Sequence, residues 1–392
     1  MAAEHYDVVV IGGGIQGTGV AQAAAASGHS VLLLEQTGLA SGTSSRSSKL
    51  IHGGLRYLES AQFRLVHECL EERAILLKNA PDLVKLIPFY IPVYKATTRR
   101  PWQVRIGLTL YAFMGDLRKS TYFRSVPRAE WDQLDGLETD NLQAVYQYND
   151  AQTDDAALTH AVMQSALELG AEIRMPASFS SAELGDRKNT VVYRHDDIDH
   201  TCTARVIVNA SGPWANEVLG RITPLQTQVP VEFVQGAHII LEEKPGKGIY
   251  YMEAPRDRRA VFVIPWKEGT MVGTTETVYK GNPAGVKPLP EEIDYLLETA
   301  GHYFPRIKNL TCNDIVGSFA GLRVLPTGEG SAFSRPRETV FHTDRTSKPR
   351  VITLYGGKLT AYRITAEKVM KKIAPALPEC RGKISTKTIK LT

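Results

Sequence analysis

The sequence predicts an α/β protein in which a mostly parallel sheet with helices packed on it is joined to a mainly antiparallel α+β part. Three observations predict this fold class. Short β-branched runs alternate with helical stretches near both ends of the chain, a glycine-rich turn joins the first run to the first helix, and alternating strand patterns fill the middle. A length of 392 residues suits two domains, or one domain with inserts.

The composition excludes several classes of protein. Hydrophobic residues make up 43% and charged residues 22%, which excludes collagen-like, low-complexity and disordered chains. The net charge of +4 is too small to indicate nucleic-acid binding. We expect no metal site and a reduced, cytoplasmic chain, because no C-x-x-C pair occurs among Cys69, Cys202, Cys312 and Cys380. We also expect no signal peptide and no spanning helix, since the longest apolar run, 106–114, is about half of the ~20 residues required.

The first element is a strand–turn–helix–strand unit. Val8–Ile11 is β-branched and typical of a buried parallel strand, and it leads into the G-x-G-x-x-G turn at 12–17. An Ala-rich helix over 20–26 follows, and then a second apolar strand over 31–34 ends at Glu35. These parts stand in the order of a Rossmann-like dinucleotide-binding unit, which makes a ligand-free glycine turn a poor alternative.

Each glycine of this turn has a physical task. Gly12 permits the tight turn, Gly14 lets the backbone approach a pyrophosphate, and Gly17 lets helix and strand pack closely. The free N–H groups at the start of the helix favour phosphate. Glu35 is placed to accept hydrogen bonds from an adenosine ribose, which argues against a 2′-phosphate there.

The segment 41–59 distinguishes between dinucleotides. It is dense in small hydroxyl side chains, which bind phosphates and the edge of a flavin. A flexible Ser-rich linker is the alternative. That alternative is disfavoured because the segment continues into His-Gly-Gly-Leu-Arg-Tyr and a helical pattern over 63–77. The sequence therefore favours FAD.

Two later strands also end in glycine-rich turns. The run 206–210 leads into Ser-Gly-Pro, and 351–355 leads into Gly-Gly-Lys, so both turns allow backbone to approach a cofactor. A plain core strand and turn remains the alternative for the first of them. Between these strands, the alternating patterns at 261–264 and 271–273 suit an antiparallel sheet that covers the flavin.

These blocks resemble the FAD-dependent glycerol-3-phosphate dehydrogenases that pass electrons to a quinone, and the related glycerol-3-phosphate oxidases. The resemblance spans roughly residues 6–370. Beyond the glycine turn it lies in the blocks 43–45, 48–58, 208–214, 236–238, 261–266, 273–276, 320–323 and 355–363.

The resemblance implies an FAD-binding domain of the glutathione-reductase/D-amino-acid-oxidase type. It implies hydride transfer from sn-glycerol 3-phosphate to FAD, with dihydroxyacetone phosphate as product and a quinone or other acceptor. Two departures stand out: Glu276 replaces the family's usual Asp, and the chain stops soon after a predicted helix at 361–373, where relatives often add a helical domain.

The expected domains are discontinuous. Residues 1–80, 151–220 and 318–376 are predicted to form the FAD-binding domain. Residues 81–150 and 221–317 are predicted to form the substrate domain, and 377–392 a tail.

We expect FAD to be bound non-covalently, because no cysteine falls in a cofactor block. The residues expected to bind it are Gly12, Gly14, Ile15, Gly17, Glu35, Gln36, Thr43, Ser44, Ser47, Ser48, Lys49, Leu50, Ile51, Ala177, Ala210, Gly212, Trp214, Gly357, Leu359 and Thr360.

A polyol phosphate requires cations for its phosphate and an acid–base group for its secondary alcohol. The expected catalytic residues are His52, His238, Arg323 and Lys358, and the expected substrate contacts are Arg56, Tyr57 and Thr275. Arg56, Arg323 and Lys358 follow glycine-containing turns and suit the phosphate. Either histidine is a candidate base. Tyr57 donates to phosphate or packs under the flavin, while Thr275 and Glu276 are placed to hold the arginines.

Two other functions compete with this one. A different FAD-dependent oxidase of the same fold, acting on glycine, sarcosine or another amino acid, would hold a carboxylate with as few as one arginine. A flavin-binding module without catalysis would not need His52 together with three cations.

The stretch 99–128 predicts peripheral contact with a membrane. Basic residues flank an apolar, aromatic helix that is too short to span a bilayer, as interfacial attachment requires. The alternative is a buried core helix over 102–115 whose arginines reach water. The resemblance favours attachment to the inner face of the cytoplasmic membrane.

Overall fold

A computed structural model describes residues 4–242, 245–328, 338–380 and 384–392. The expected domain and tail segments therefore extend beyond the described residues at 1–3, 243–244, 329–337 and 381–383. None of the helices in the described ranges has the length and apolar character needed to cross a membrane.

The α-helices of the described chain are α1 Ile15–Ala26, α2 Phe63–Asn79, α3 Pro101–Met114, α4 Asp155–Glu168, α5 Ala215–Leu219, α6 Pro290–Tyr303 and α7 Tyr362–Ile373. The strands are β1 Glu4–Ile11, β2 Val31–Leu34, β3 Leu50–Ile51, β4 Val84–Tyr94, β5 Phe123–Ser125, β6 Leu142–Thr153, β7 Glu172–Arg174, β8 Ala177–Glu183, β9 Asn189–His195, β10 Ile198–Asn209, β11 Ile222–Thr223, β12 Val231–Leu241, β13 Ile249–Glu253, β14 Ala260–Trp266, β15 Gly269–Gly273, β16 Thr277–Tyr279, β17 Ile315–Pro326, β18 Val340–Thr343 and β19 Val351–Tyr355.

The first sheet contains the nucleotide-binding unit. Its parallel part runs β19-β10-β1-β2-β7, with Val8 opposite Val206 on one side and Val31 on the other. Both faces of β1 are covered, since Val8 and Val10 pack toward α1 and α7 while Val9 and Ile11 pack on the opposite face. This explains the unbroken apolar run. The antiparallel strands β8 and β9 extend the sheet beyond β10.

The second sheet is mainly antiparallel, in the order β16-β12-β15-β14-β13-β4-β6-β3, with β17 paired to β12 and β5 to β6. Alternate residues of β4 face opposite layers: Tyr90 packs with the core under α6, and Phe89 packs with the core under α2 and α3. The expected boundary at residue 318 falls inside β17, which pairs with β12 along its length. Strand β3, inside the expected 1–80 segment, also pairs with this sheet.

Candidate active site

The glycine turn is shaped by close backbone approach. Gly12 has φ +110°, and a Cβ at Gly17 would lie 1.9 Å from the Gly12 carbonyl oxygen, so both positions need glycine. The carboxylate of Glu35 accepts hydrogen bonds from the Gly13 N–H at 2.7 Å and the Thr37 N–H at 2.8 Å. Glu35 therefore stabilises the turn itself, beside the start of α1.

The hydroxyl-rich segment 41–59 lies over the start of α1. Ser44 Oγ accepts a hydrogen bond from the Ile15 N–H at 2.9 Å, and a Cβ at Gly14 would lie 3.0 Å from the same oxygen. Thr43 donates to the Leu322 carbonyl at 3.1 Å, which ties the segment to β17. The segment thus joins the two sheets beside the open N–H groups of the helix.

A buried carboxylate anchors the middle of the segment. Asp155 accepts from the Ser47 hydroxyl at 2.6 Å and forms an ion pair with Lys49 at 2.6 Å. Asp155 and Lys49 are both buried. Ser47 and Lys49, which are expected to contact the cofactor, use their side chains to fix the segment to the start of α4. Sequence reasoning missed Asp155, although an acid at the first position of a helix, two residues after a strand, was a usable signal.

One cluster of expected residues forms around Lys358. Its Nζ lies 3.6 Å from the centre of the Tyr57 ring, and it is buried without a hydrogen-bond acceptor among the residues that the structure describes. The His52 N–H donates to Thr360 Oγ1 at 3.1 Å. Removal of the His52 ring from water lowers its pKa to about 4, a shift that the charges of Lys358 and Arg56 reinforce and that of Asp150 opposes.

A second cluster forms around His238 on β12. Its Nε2 is hydrogen-bonded to Ser48 Oγ at 2.9 Å, and its ring stacks on Phe319 with centroids 4.8 Å apart. Its Nδ1 is buried and has no hydrogen-bond partner within the described ranges. Burial lowers the pKa of His238 to about 3, aided by the positive charges of Arg323 and Lys49. The imidazole is therefore neutral in neutral solution.

The arginine of β17 has the partner that the sequence predicts for it. Arg323 lies 3.4 Å from a carboxylate oxygen of Glu276 and also contacts Thr274 Oγ1 at 3.4 Å. The segment from Ser48 to His52 connects this cluster with the one around Lys358.

Thr275, an expected substrate contact, has two protein partners for its hydroxyl. Its hydroxyl accepts from the Ala237 N–H at 2.8 Å and donates to Glu292 at 2.6 Å, and the residue is buried. Thr275 thus holds β12 beside the loop that carries Glu276. Glu292, on α6, is a second carboxylate that sequence reasoning missed.

The other expected cofactor residues border the start of α1 or the two clusters. The Ala177 N–H donates to the Glu35 carbonyl at 2.7 Å, and a Cβ at Gly12 would lie 2.7 Å from the Ala210 carbonyl. Gln36 is exposed beside Glu35. The remaining positions lie in turns or in β3, and they are Gly212, Trp214, Leu50, Ile51, Gly357 and Leu359.

These residues fit FAD. The glycine cradle leaves room that a side chain would fill. Three of the seven buried side-chain polar atoms that lack hydrogen-bond partners in the described chain lie here, namely Gln16 Oε1, Lys358 Nζ and His238 Nδ1. Gly12, Gly14, Ile15 and Ser44 would hold the pyrophosphate, and the segment 47–52 would border the flavin.

An adenine-dinucleotide cradle joined to a second sheet with histidines and cations defines a flavin-dependent oxidoreductase. The chain belongs to the FAD dependent oxidoreductase family, whose model matches residues 7–363. The predicted fold class, the enzyme class and the FAD cofactor are thereby confirmed.

Individual relatives confirm the resemblance inferred from the sequence blocks. The chain is 37% identical to the aerobic glycerol-3-phosphate dehydrogenase of Escherichia coli over 95% of this chain and 74% of the relative. It is 36% identical to the D-erythritol 1-phosphate dehydrogenase of Brucella abortus, over 97% of this chain and 76% of the relative. The FAD complex of the Bacillus halodurans glycerol-3-phosphate dehydrogenase superposes with a TM-score of 0.75 at 29% identity, covering 100% of this chain and 68% of that one.

Proposed function

We propose that this chain oxidises sn-glycerol 3-phosphate to dihydroxyacetone phosphate and passes the electrons to a quinone or another acceptor. The observation that carries the proposal is that Lys358 Nζ is buried and has no hydrogen-bond acceptor among the described residues. A buried charge is costly unless an opposite charge meets it, so this position calls for an anionic ligand.

The surroundings of Lys358 favour a phosphate. Arg56 lies in the same cluster, and its charge and that of Lys358 both act on His52. A dianion is balanced by two such cations, whereas a carboxylate needs one. Arg323, ion-paired with Glu276, contributes a third cation near His238. This arrangement supports a polyol phosphate over an amino acid.

The alcohol requires a base. FAD, when bound, supplies the hydride acceptor. The His238 ring is neutral at neutral pH and its Nδ1 is buried without a partner in the described chain, so Nδ1 can accept the hydroxyl proton in the tautomer whose Nε2–H donates to Ser48. Ser48 holds the opposite nitrogen and so orients the ring.

A longer polyol phosphate is the second candidate substrate. The D-erythritol 1-phosphate dehydrogenase relative is 36% identical to this chain, which is almost the same identity as the glycerol-3-phosphate dehydrogenase relatives show. Both substrates share a phosphate and a secondary alcohol. The cations and the histidine serve either one, so direct comparison of the two is needed.

Anaerobic flavin bleaching tests the substrate. We expect sn-glycerol 3-phosphate to bleach the bound flavin, and glycerol, lactate, glycine and sarcosine to leave it yellow. Bleaching by D-erythritol 1-phosphate is compared with bleaching by sn-glycerol 3-phosphate in the same experiment. Lys358→Met should retain FAD. Its flavin should need about a hundredfold higher concentration of the phosphate substrate for the same bleaching, since a charge-assisted contact contributes ~1.5–3 kcal/mol. Bleaching by an amino acid and not by either phosphate would overturn the proposal.

We further propose that the protein attaches to an anionic membrane surface through α3. One face of α3 is buried by Val104, Leu108 and Tyr111. The opposite face, which we call the exposed apolar face, consists of Trp102, Ile106, Leu110 and Phe113, and the first two and Phe113 are 59–69% exposed. Contiguous exposed apolar side chains at helical spacing favour insertion among lipid headgroups.

The basic residues next to this face differ in availability. Arg99 is ion-paired with Glu59 and Glu253 and is therefore not a simple lipid contact. Arg100 and Arg105 are exposed and suit anionic headgroups. The apolar side chains are thus the better targets for testing attachment.

Flotation with anionic vesicles at low salt measures this attachment. Wild-type protein should co-float, whereas a triple change of Trp102, Ile106 and Phe113 to serine should stay at the bottom with its flavin retained, because each buried large apolar side chain contributes ~1.5–3 kcal/mol. Leu225→Ser is the matched control, since Leu225 is 80% exposed elsewhere on the surface. Wild type that does not float would contradict membrane attachment.

A further inference from the structure

A buried trio of polar side chains lies beneath the turn that carries candidate substrate residues. Tyr111 on α3, Asp150 on β6 and Arg73 on α2 are each at most 1% exposed. The Tyr111 hydroxyl donates to Asp150 at 2.7 Å, and Asp150 is ion-paired with Arg73. A buried ion pair is weak evidence for stability, so the bonds that leave the trio indicate its role.

One of those bonds reaches the turn. The Gly53 N–H donates to the Tyr111 hydroxyl at 2.9 Å. A Cβ at residue 53 would lie 2.6 Å from the same oxygen, so this close approach requires glycine. The hydroxyl therefore accepts from the turn and donates to Asp150, and the ion pair with Arg73 fixes Asp150 in place.

The anchored glycine begins the segment that carries two expected substrate contacts. Gly54 has φ +79°, and its carbonyl accepts from the Tyr57 N–H at 2.9 Å within the 3-10 turn Leu55–Leu58. Tyr57 in turn lies against Lys358. A shift at Gly53 would consequently move Arg56 and Tyr57 relative to Lys358.

We propose that Tyr111 is a positioning residue that holds the Gly53–Gly54 turn so that Arg56 and Tyr57 meet the anion bound at Lys358. The inference rests on the proposed function for the nature of that anion. The buried Asp150–Arg73 pair keeps the Tyr111 hydroxyl directed at the turn. Tyr111 itself does not touch the reacting atoms.

The test compares two tyrosine variants of the flavin-loaded protein. Tyr111→Phe removes the hydroxyl that holds Gly53. Tyr146→Phe is the matched control, because Tyr146 is also buried and its hydroxyl donates to the Pro101 carbonyl at 2.9 Å, at the start of the same helix. Flavin content and melting temperature report general damage. Anion binding is measured by titrating inorganic phosphate against flavin absorbance, and catalysis by KM and kcat for sn-glycerol 3-phosphate.

We expect Tyr111→Phe to bind inorganic phosphate about tenfold more weakly and to raise KM about tenfold with a smaller change in kcat, within the ~10²-fold that a misplacement of ~1 Å can cost. Tyr146→Phe should change the phosphate affinity, KM and kcat by less than about twofold each, although it also loses a hydrogen bond from a tyrosine hydroxyl. Equal effects of the two variants would overturn the proposal.

Two further outcomes are distinguishable. If sn-glycerol 3-phosphate does not reduce the wild-type flavin but the phosphate titration still separates the two variants, the proposed substrate fails and the positioning role stands. If Tyr111→Phe yields no flavin-loaded protein, Gly53→Ala disturbs the same contact from the other side, since its Cβ would lie 2.6 Å from the Tyr111 hydroxyl as well as 2.7 Å from Leu70 Cδ2. Wild-type phosphate binding by Gly53→Ala would overturn the proposal.

Discussion

Replacing Gly17 by alanine is expected to yield a protein purified almost without flavin. The added Cβ would lie 1.9 Å from the Gly12 carbonyl oxygen and 3.1 Å from its carbon, and both are backbone atoms. Gly12 cannot yield easily, because its own N–H donates to the Leu34 carbonyl at 2.9 Å. The start of α1 must therefore move away from the turn, and the N–H groups that suit the pyrophosphate move with it.

The measurement is the flavin absorbance of the purified protein relative to its protein absorbance. Overpacking of this kind costs ~1–3 kcal/mol, and each ~1.4 kcal/mol weakens binding tenfold, so we expect FAD to bind roughly 5- to 140-fold more weakly and to be largely lost during purification. Gly38→Ala is the matched control, because no atom lies within 4 Å of a Cβ at Gly38. Full occupancy in Gly17→Ala would show that the pyrophosphate does not bind at this turn.

The nucleotide-binding unit could be predicted from the sequence because its constraints are local. A strand buried on both faces requires a continuous apolar run, and the turn at Gly12 requires positive φ. Helix α1 nonetheless begins at Ile15, five residues before the predicted helix at 20–26, because glycines that usually weaken a helix are needed there for close packing.

The site could be predicted only in part, because its supporting bonds join distant parts of the chain. Asp155 contacts residues more than 100 positions earlier, and Glu292 supports Thr275 from α6. Sequence spacing does not reveal such pairs. For the same reason, the sequence did not reveal the protein partners that the side chains of Ser47, Lys49 and Thr275 have, and their contacts with cofactor or substrate stay predictions.

Helix α3 combines a buried face with an exposed apolar face, which the sequence alone did not separate. A core helix and a membrane-contacting helix predict opposite exposures. The structure has one buried face and one exposed apolar face, and contact of the exposed face with a membrane stays a prediction. Periodicity alone was ambiguous here, since apolar residues occupy both faces. Only the packing of Leu108 and Tyr111 against the second sheet distinguishes the two faces.

Removing the imidazole of His238 is expected to slow flavin reduction by about 10²–10⁴-fold at saturating substrate, the usual contribution of a general base. His52→Ala is the matched control, and we expect it to slow reduction by less than about tenfold. The two residues share much: each ring is neutral at neutral pH, because burial lowers their pKa values to about 3 and about 4. They differ in that an unpaired, buried ring nitrogen is found for His238 within the described chain.

Stopped-flow anaerobic reduction measures both rates, and flavin content confirms that each variant is loaded. His238→Ala leaves a space beside Phe319, so added imidazole should restore part of its rate, because the missing group is then supplied from solution. The same addition should leave His52→Ala unchanged. If His52→Ala instead loses 100-fold or more while His238→Ala stays near the wild-type rate, His52 is the base. The hydrogen bond between Ser48 and His238 would then serve only to join the segment from Ser48 to His52 to β12.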